Sequence, residues 1–147
     1  MTTGTEPRVP RRRLYVDTSA YLCLLLAQAG WKQLAKETVD ARLLSSVLLV
    51  IETKRNLVRM VREGHLHAGQ YDAAIGRLDQ DMSLFLLRDL TLDLCQSNTM
   101  PVVATPRTLD LVHLRTALWF HAAAPLDRFV SMDTAQQQAA RELGLRV

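Results

Sequence analysis

Leu14-Tyr15-Val16-Asp17-Thr18-Ser19 is the stretch on which the fold turns. Residues 13–16 predict a short strand. A carboxylate ends the apolar run, and Thr18 or Ser19 can cap a helix extending to about residue 28, with Gly30 as its stop. A strand passing straight into a helix is the building unit of a parallel sheet covered by helices. A carboxylate beside an apolar segment is costly unless something pairs with it, because burial strips its hydration.

Three more acids stand in comparable places. Glu52 interrupts Val47-Leu48-Leu49-Val50-Ile51-Glu52, Asp110 opens Asp110-Leu111-Val112-His113-Leu114, and Asp133 follows Phe129-Val130-Ser131-Met132. A divalent cation is one pairing that would account for all four together.

Around these segments, strands and helices alternate. A second short helix is predicted over 31–39 and a strand over 43–45. A long helix capped by Ser45 or Ser46 runs to about 63, before Gly64. Helical spacing of Tyr71, Ile75 and Leu78 predicts a helix over 69–82. Then come a strand over 84–87, a short helix over 91–97 and a linker at 101–104. A helix over 107–123 turns Leu111, Leu114, Ala117 and Leu118 inward. A strand at 128–131 and a helix from 133 or 134 to about 143 complete the order, with 145–147 a candidate edge strand. The expectation is a three-layer α/β/α fold around a parallel sheet of four or five short strands. In such sheets ligands gather beyond the carboxyl ends of the strands, which would bring the four acids to one rim.

Composition agrees with a single folded domain: 147 residues, 48% hydrophobic and 22% charged, neither disordered nor membrane-like. Residues 1–12 are expected to be a flexible basic tail and 13–147 the domain. Arg11-Arg12-Arg13 before Tyr21-Leu22-Cys23-Leu24-Leu25-Leu26 has the look of a secretory leader, but Asp17 interrupts the apolar segment, and no run approaches the roughly 18 residues of a membrane helix. The chain is read as soluble and cytoplasmic, without a membrane partner. Cys23 and Cys95 lack CxxC spacing and read as buried thiols of a reducing compartment.

Net charge is +3. Arg8, Arg11, Arg12 and Arg13 cluster at the start, and Lys54, Arg55, Arg59 and Arg62 follow Glu52 on one helix. Cations beside acids suit a site that handles a polyanion; taken alone, they are an ordinary solvated helix face.

At this point the chain resembles the PIN-domain family, and within it the VapC-type ribonuclease toxins of type II toxin–antitoxin pairs. The likeness rests on four segments in the family's order: Leu14-Tyr15-Val16-Asp17-Thr18-Ser19; Ser46 through Glu52; Arg107-Thr108-Leu109-Asp110-Leu111-Val112-His113-Leu114-Arg115-Thr116-Ala117; and Phe129-Val130-Ser131-Met132-Asp133 through Ala140-Arg141-Glu142-Leu143-Gly144-Leu145. They span nearly all of 14–147. Arg115 stands where the family has Ala, and the arginine-bearing N-terminal extension is longer than usual; neither removes a carboxylate.

The resemblance implies a Mg²⁺- or Mn²⁺-dependent endoribonuclease that hydrolyses RNA phosphodiesters to a 3′-hydroxyl and a 5′-phosphate. Asp17, Glu52, Asp110 and Asp133 would be its catalytic acids. Asp17 and Asp110 would ligate the cation directly, Asp133 directly or through water, and Glu52 would bind through water or orient the nucleophile. Thr18 and Ser19 would support the acids, and Lys54, Arg55 and Arg107 are candidate RNA contacts. The resemblance also implies a homodimer and a cognate antitoxin lying in a groove near Trp31, Leu34, Tyr71 and Ile75. Oxygen donors suit magnesium, a hard ion.

Each residue also has a structural reading. Asp17 and Asp133 can be N-caps, Asp110 can answer the helix dipole, and Glu52 can pair with Lys54, Arg55 or Arg59. His113 shares a helix face with Asp110 and is expected to be packed and hydrogen-bonded; His65, His67 and His121 are given no role. Two other functions remain in play. One is a catalytically inactive PIN-like module that binds RNA or protein. The other, a phospho-acceptor domain, needs paired acids after the first strand and a late lysine, whereas the lysines here are Lys32, Lys36 and Lys54.

Overall fold

The computed structural model describes residues 11–97, 100–104 and 107–147. Its centre is β1 (Arg13–Val16), whose Leu14, Tyr15 and Val16 are fully buried. An apolar run without polar alternation is what a strand covered on both faces requires. β1 pairs in parallel with β2 (Arg42–Ser46) on one side and β4 (Arg128–Val130) on the other; β3 (Phe85–Arg88) adds to β2. The sheet has four strands, all parallel, in the order β3-β2-β1-β4. The α/β architecture expected from the alternating segments is therefore present.

Side chains alternate across a strand, so β1 feeds two cores. Tyr15 joins Leu44 and Phe129 beneath α6 (Thr108–Ala123) and α7 (Thr134–Glu142), against Leu114, Ala117, Phe120 and Ala140. Tyr15 and Phe129 stack with ring centroids 5.3 Å apart. Leu14, Val16 and Val130 face the opposite layer: α1 (Thr18–Leu25), α2 (Trp31–Thr38), α3 (Leu48–Arg62) and α4 (Ala68–Asp81), which contribute Tyr21, Leu34, Leu49 and Leu78. A short α5 (Leu92–Gln96) follows β3.

Several boundaries differ from expectation. α1 stops at Leu25 because Ala27 takes a left-handed φ of 50°, with Gln28 N–H bonded to the Cys23 carbonyl at 3.0 Å. That is a Schellman closure without glycine. Gly144, with φ of 80°, closes α7 the same way, Leu145 N–H reaching the Ala140 carbonyl at 3.0 Å, as its position suggested. Asp17, not Thr18 or Ser19, caps α1. His67 also has a role: it caps α4 in a capping box with Gln70. No fifth strand forms at 145–147, although Phe129 N–H bonds the Arg146 carbonyl at 2.7 Å.

Residues 1–10 of the expected tail lie outside the described residues. Arg12 is tied to the domain, its carbonyl accepting Arg42 N–H at 2.7 Å and its guanidinium facing Glu37 at 3.4 Å. Cys23 is buried as expected, but Cys95 is exposed. Leu34, expected on an open groove, is a core residue. Among the described residues, no helix is long and apolar enough to cross a membrane.

Candidate acidic active site

The carboxyl ends of β1 and β4 and the helices that leave that rim enclose a cavity of about 360 Å³. Asp17, Glu52, Asp110 and Asp133 all line it, with Thr18, Ser19, Leu22, Asn56, Arg59, Arg107 and His113. Residues up to 116 positions apart in sequence meet there because every strand of a parallel sheet delivers its following helix to the same edge.

Asp17 is the deepest acid, 5% exposed. Its Oδ1 accepts the Ser19 hydroxyl at 2.7 Å and Ala20 N–H at 3.0 Å. Burial raises its pKa above the ordinary aspartate value, and the Ser131 and Ser19 hydroxyls, His113 and the Ala20 amide only partly offset this. Ser19 Oγ also accepts Met132 N–H at 2.9 Å, joining the β1–α1 turn to the β4–α7 turn.

Glu52 projects from the second turn of α3. Its Oε1 receives the Thr18 hydroxyl at 3.0 Å and stands 2.7 Å from His113 Nε2. Burial pushes its pKa up, but His113, the Thr18 hydroxyl and the nearby Arg55 charge more than reverse this, leaving it below the ordinary glutamate value. His113 is 2% exposed, and its Nδ1 lies 2.8 Å from the Tyr15 hydroxyl. An ionised Glu52 only accepts, so Nε2 carries the proton. Burial holds the Tyr15 phenol well above its ordinary pKa, so it stays protonated and is placed to donate to Nδ1. Tyr15, His113, Glu52 and Thr18 thus form one network joining the central strand to α1, α3 and α6.

Asp110 and Asp133 lie nearer the mouth. Asp133 Oδ1 caps α7, accepting Ala135 N–H at 2.8 Å and Gln136 N–H at 3.3 Å. Gln136 returns from α7 to the Asp110 carbonyl, Nε2 donating at 3.0 Å. Arg107 donates Nε–H to Asp110 Oδ2 at 2.7 Å and Nη2–H to Asp133 Oδ2 at 2.9 Å.

The capping roles read for Asp17 and Asp133 are therefore real, and both residues also line the cavity. Glu52 pairs with His113 and Thr18, not with Lys54 or Arg59. Thr18, Ser19 and Arg107 reach the wall; Lys54 and Arg55 do not. Asn56 and Arg59, four and seven residues after Glu52, do reach it, with Arg59 Nη2 donating to Asn56 Oδ1 at 2.9 Å. Helical spacing from Glu52 was the signal available for both. Arg115 lines a separate apolar cavity of about 250 Å³ with Leu90, Leu94, Cys95, Met100 and Leu111, away from the acids.

The donor set is all oxygen and graded in exposure, which fits a hard divalent cation. Among the described residues, no three His, Cys, Asp or Glu side chains are placed to hold one ion together, and Arg107 occupies one oxygen of Asp110 and one of Asp133. Arg107 meets the two carboxylates through two separate nitrogens of one guanidinium.

Comparison of the sequence with protein-family models gives no match, and comparison with curated proteins gives none either.

Proposed function

We propose that the chain is a divalent-cation-dependent endoribonuclease of the PIN-domain type, acting as the toxin of a toxin–antitoxin pair. The observation that carries this reading is the convergence of Asp17, Glu52, Asp110 and Asp133, from four separate segments, on one cavity. Asp17, Asp110 and Asp133 would hold Mg²⁺ or Mn²⁺. Such a cation, when bound, supplies charge neutralisation at the attacked phosphate and a more acidic water.

The chain's own groups do the rest. Glu52, fixed by His113 and Thr18, orients the attacking water. Ser19 holds Asp17 in place. Arg59 and Arg107 offer guanidinium donors on the cavity wall, suited to phosphate oxygens. RNA as the substrate, the homodimer, the antitoxin and a cytoplasmic site of action follow from the family resemblance and belong to the proposal.

The competing reading, an inactive PIN-like binding module, draws on the Arg107 bridge, which satisfies two of the acids without any metal. One assay separates them: RNA cleavage in Mn²⁺ by the wild type and by the double variant Asp17→Asn, Asp110→Asn. Cleavage by the wild type that the double variant lacks supports the nuclease; equal cleavage, or none by either, overturns it.

A further inference from the structure

Resting on the cation-dependent reading of the cavity, we infer that Arg107 is its internal counter-ion and sets how tightly the cavity takes a divalent cation. The argument is about individual oxygens. Asp133 has two, and Oδ1 is committed to the amides of Ala135 and Gln136 that begin α7. Oδ2 is the oxygen left for an outside cation, and Arg107 Nη2 holds it at 2.9 Å. On Asp110 the Arg107 contact is again to Oδ2, at 2.7 Å. A metal ion drawn to these oxygens therefore competes with the guanidinium for them, most directly at Asp133.

The geometry departs from an ordinary surface ion pair. Arg107 precedes the first turn of α6, and its fork joins a carboxylate of that helix to one of α7, 26 residues away. The two acids belong to different elements, so their neutralisation by one guanidinium is a property of the cavity. The other described cation on the wall, Arg59, binds Asn56 Oδ1.

The bridge is also exchangeable. The Arg107 side chain is 70% exposed, so water and salt screen it. The inner pair of His113 and Glu52, only 3% and 16% exposed, has no such access. The cavity thus has a fixed inner half and a displaceable outer half. Displacement leaves a two-pronged donor at the mouth, matched to a phosphate.

The test is calorimetric titration of Mn²⁺ into the wild type and Arg107→Ala without RNA, with melting in EDTA as the folding control. Arg107→Ala is expected to bind Mn²⁺ roughly tenfold more tightly, since the competitor is gone. Arg107→Lys keeps the charge but loses the fork; it should bind with intermediate affinity, and it decides the matter if the alanine variant does not fold. Wild-type binding that neither variant tightens overturns the counter-ion role and leaves the cation site standing. No Mn²⁺ binding by any of the three overturns both.

Discussion

His113 Nε2 lies 2.7 Å from Glu52 Oε1, with both side chains inside the protein and 61 residues apart in sequence. The contact spans α3 and α6, and the Tyr15 hydroxyl backs the imidazole from the central strand. A buried polar network is strong when every member is satisfied and costly when one is removed. His113→Ala leaves the Tyr15 phenol and the Glu52 carboxylate short of a partner, and should destabilise the fold by about 3 kcal/mol. Tyr15→Phe removes only the hydroxyl and should cost about 1 kcal/mol. Urea unfolding of the two variants checks the ordering; equal, small effects would show that the network contributes little.

The two inner acids should give opposite pH dependences. The Glu52 pKa lies below the ordinary 4.5 in the folded state. Its contribution is therefore present above that value and lost as pH falls through the folded one. Asp17 has a folded pKa above the ordinary 3.8. Relative stability is then greatest with the group protonated and declines as pH rises through the raised value. Glu52→Gln should flatten the loss of stability at low pH, and Asp17→Asn should flatten the decline that sets in as pH rises above the ordinary aspartate value of 3.8. Melting curves of both variants from about pH 3 to pH 8 would show the two effects; the same direction of change in both would contradict the assignment.

Asp17→Asn also separates folding from cation binding. Asparagine is a good N-cap and removes a carboxylate held against its hydration. The variant should melt a few degrees above the wild type in EDTA. Added Mn²⁺ should raise the wild-type melting temperature and leave the variant nearly unmoved, because only binding to the native state stabilises it. A shift of equal size in both would remove Asp17 from the cation site.

Much of this molecule can be read from local sequence. Leu14-Tyr15-Val16 predicts a strand covered on both faces, and it is. Gly64 and Gly144 mark helix ends because a left-handed residue is needed there, and both have positive φ. Placing acids after strands or early in helices is enough to expect them at one rim, since parallel topology sends every such turn to the same edge. Ala27 shows the limit: nothing local announces an alanine in the left-handed region, so α1 ends earlier than Gly30 suggests.

Which atoms face which was decided only by packing. Glu52 had three cations near it in sequence, yet its hydrogen-bond partners are His113 and Thr18, because α3 turns it toward α1 and α6 while Arg55 stays at the surface. Arg107 reaches Asp133 only because the starts of α6 and α7 meet at the same rim, with Gln136 tying one to the other. Helix and strand periodicity act over a few residues and can be read along the chain. A hydrogen bond spanning 26, 61 or 98 residues depends on the closed fold, which alone brings such groups within reach.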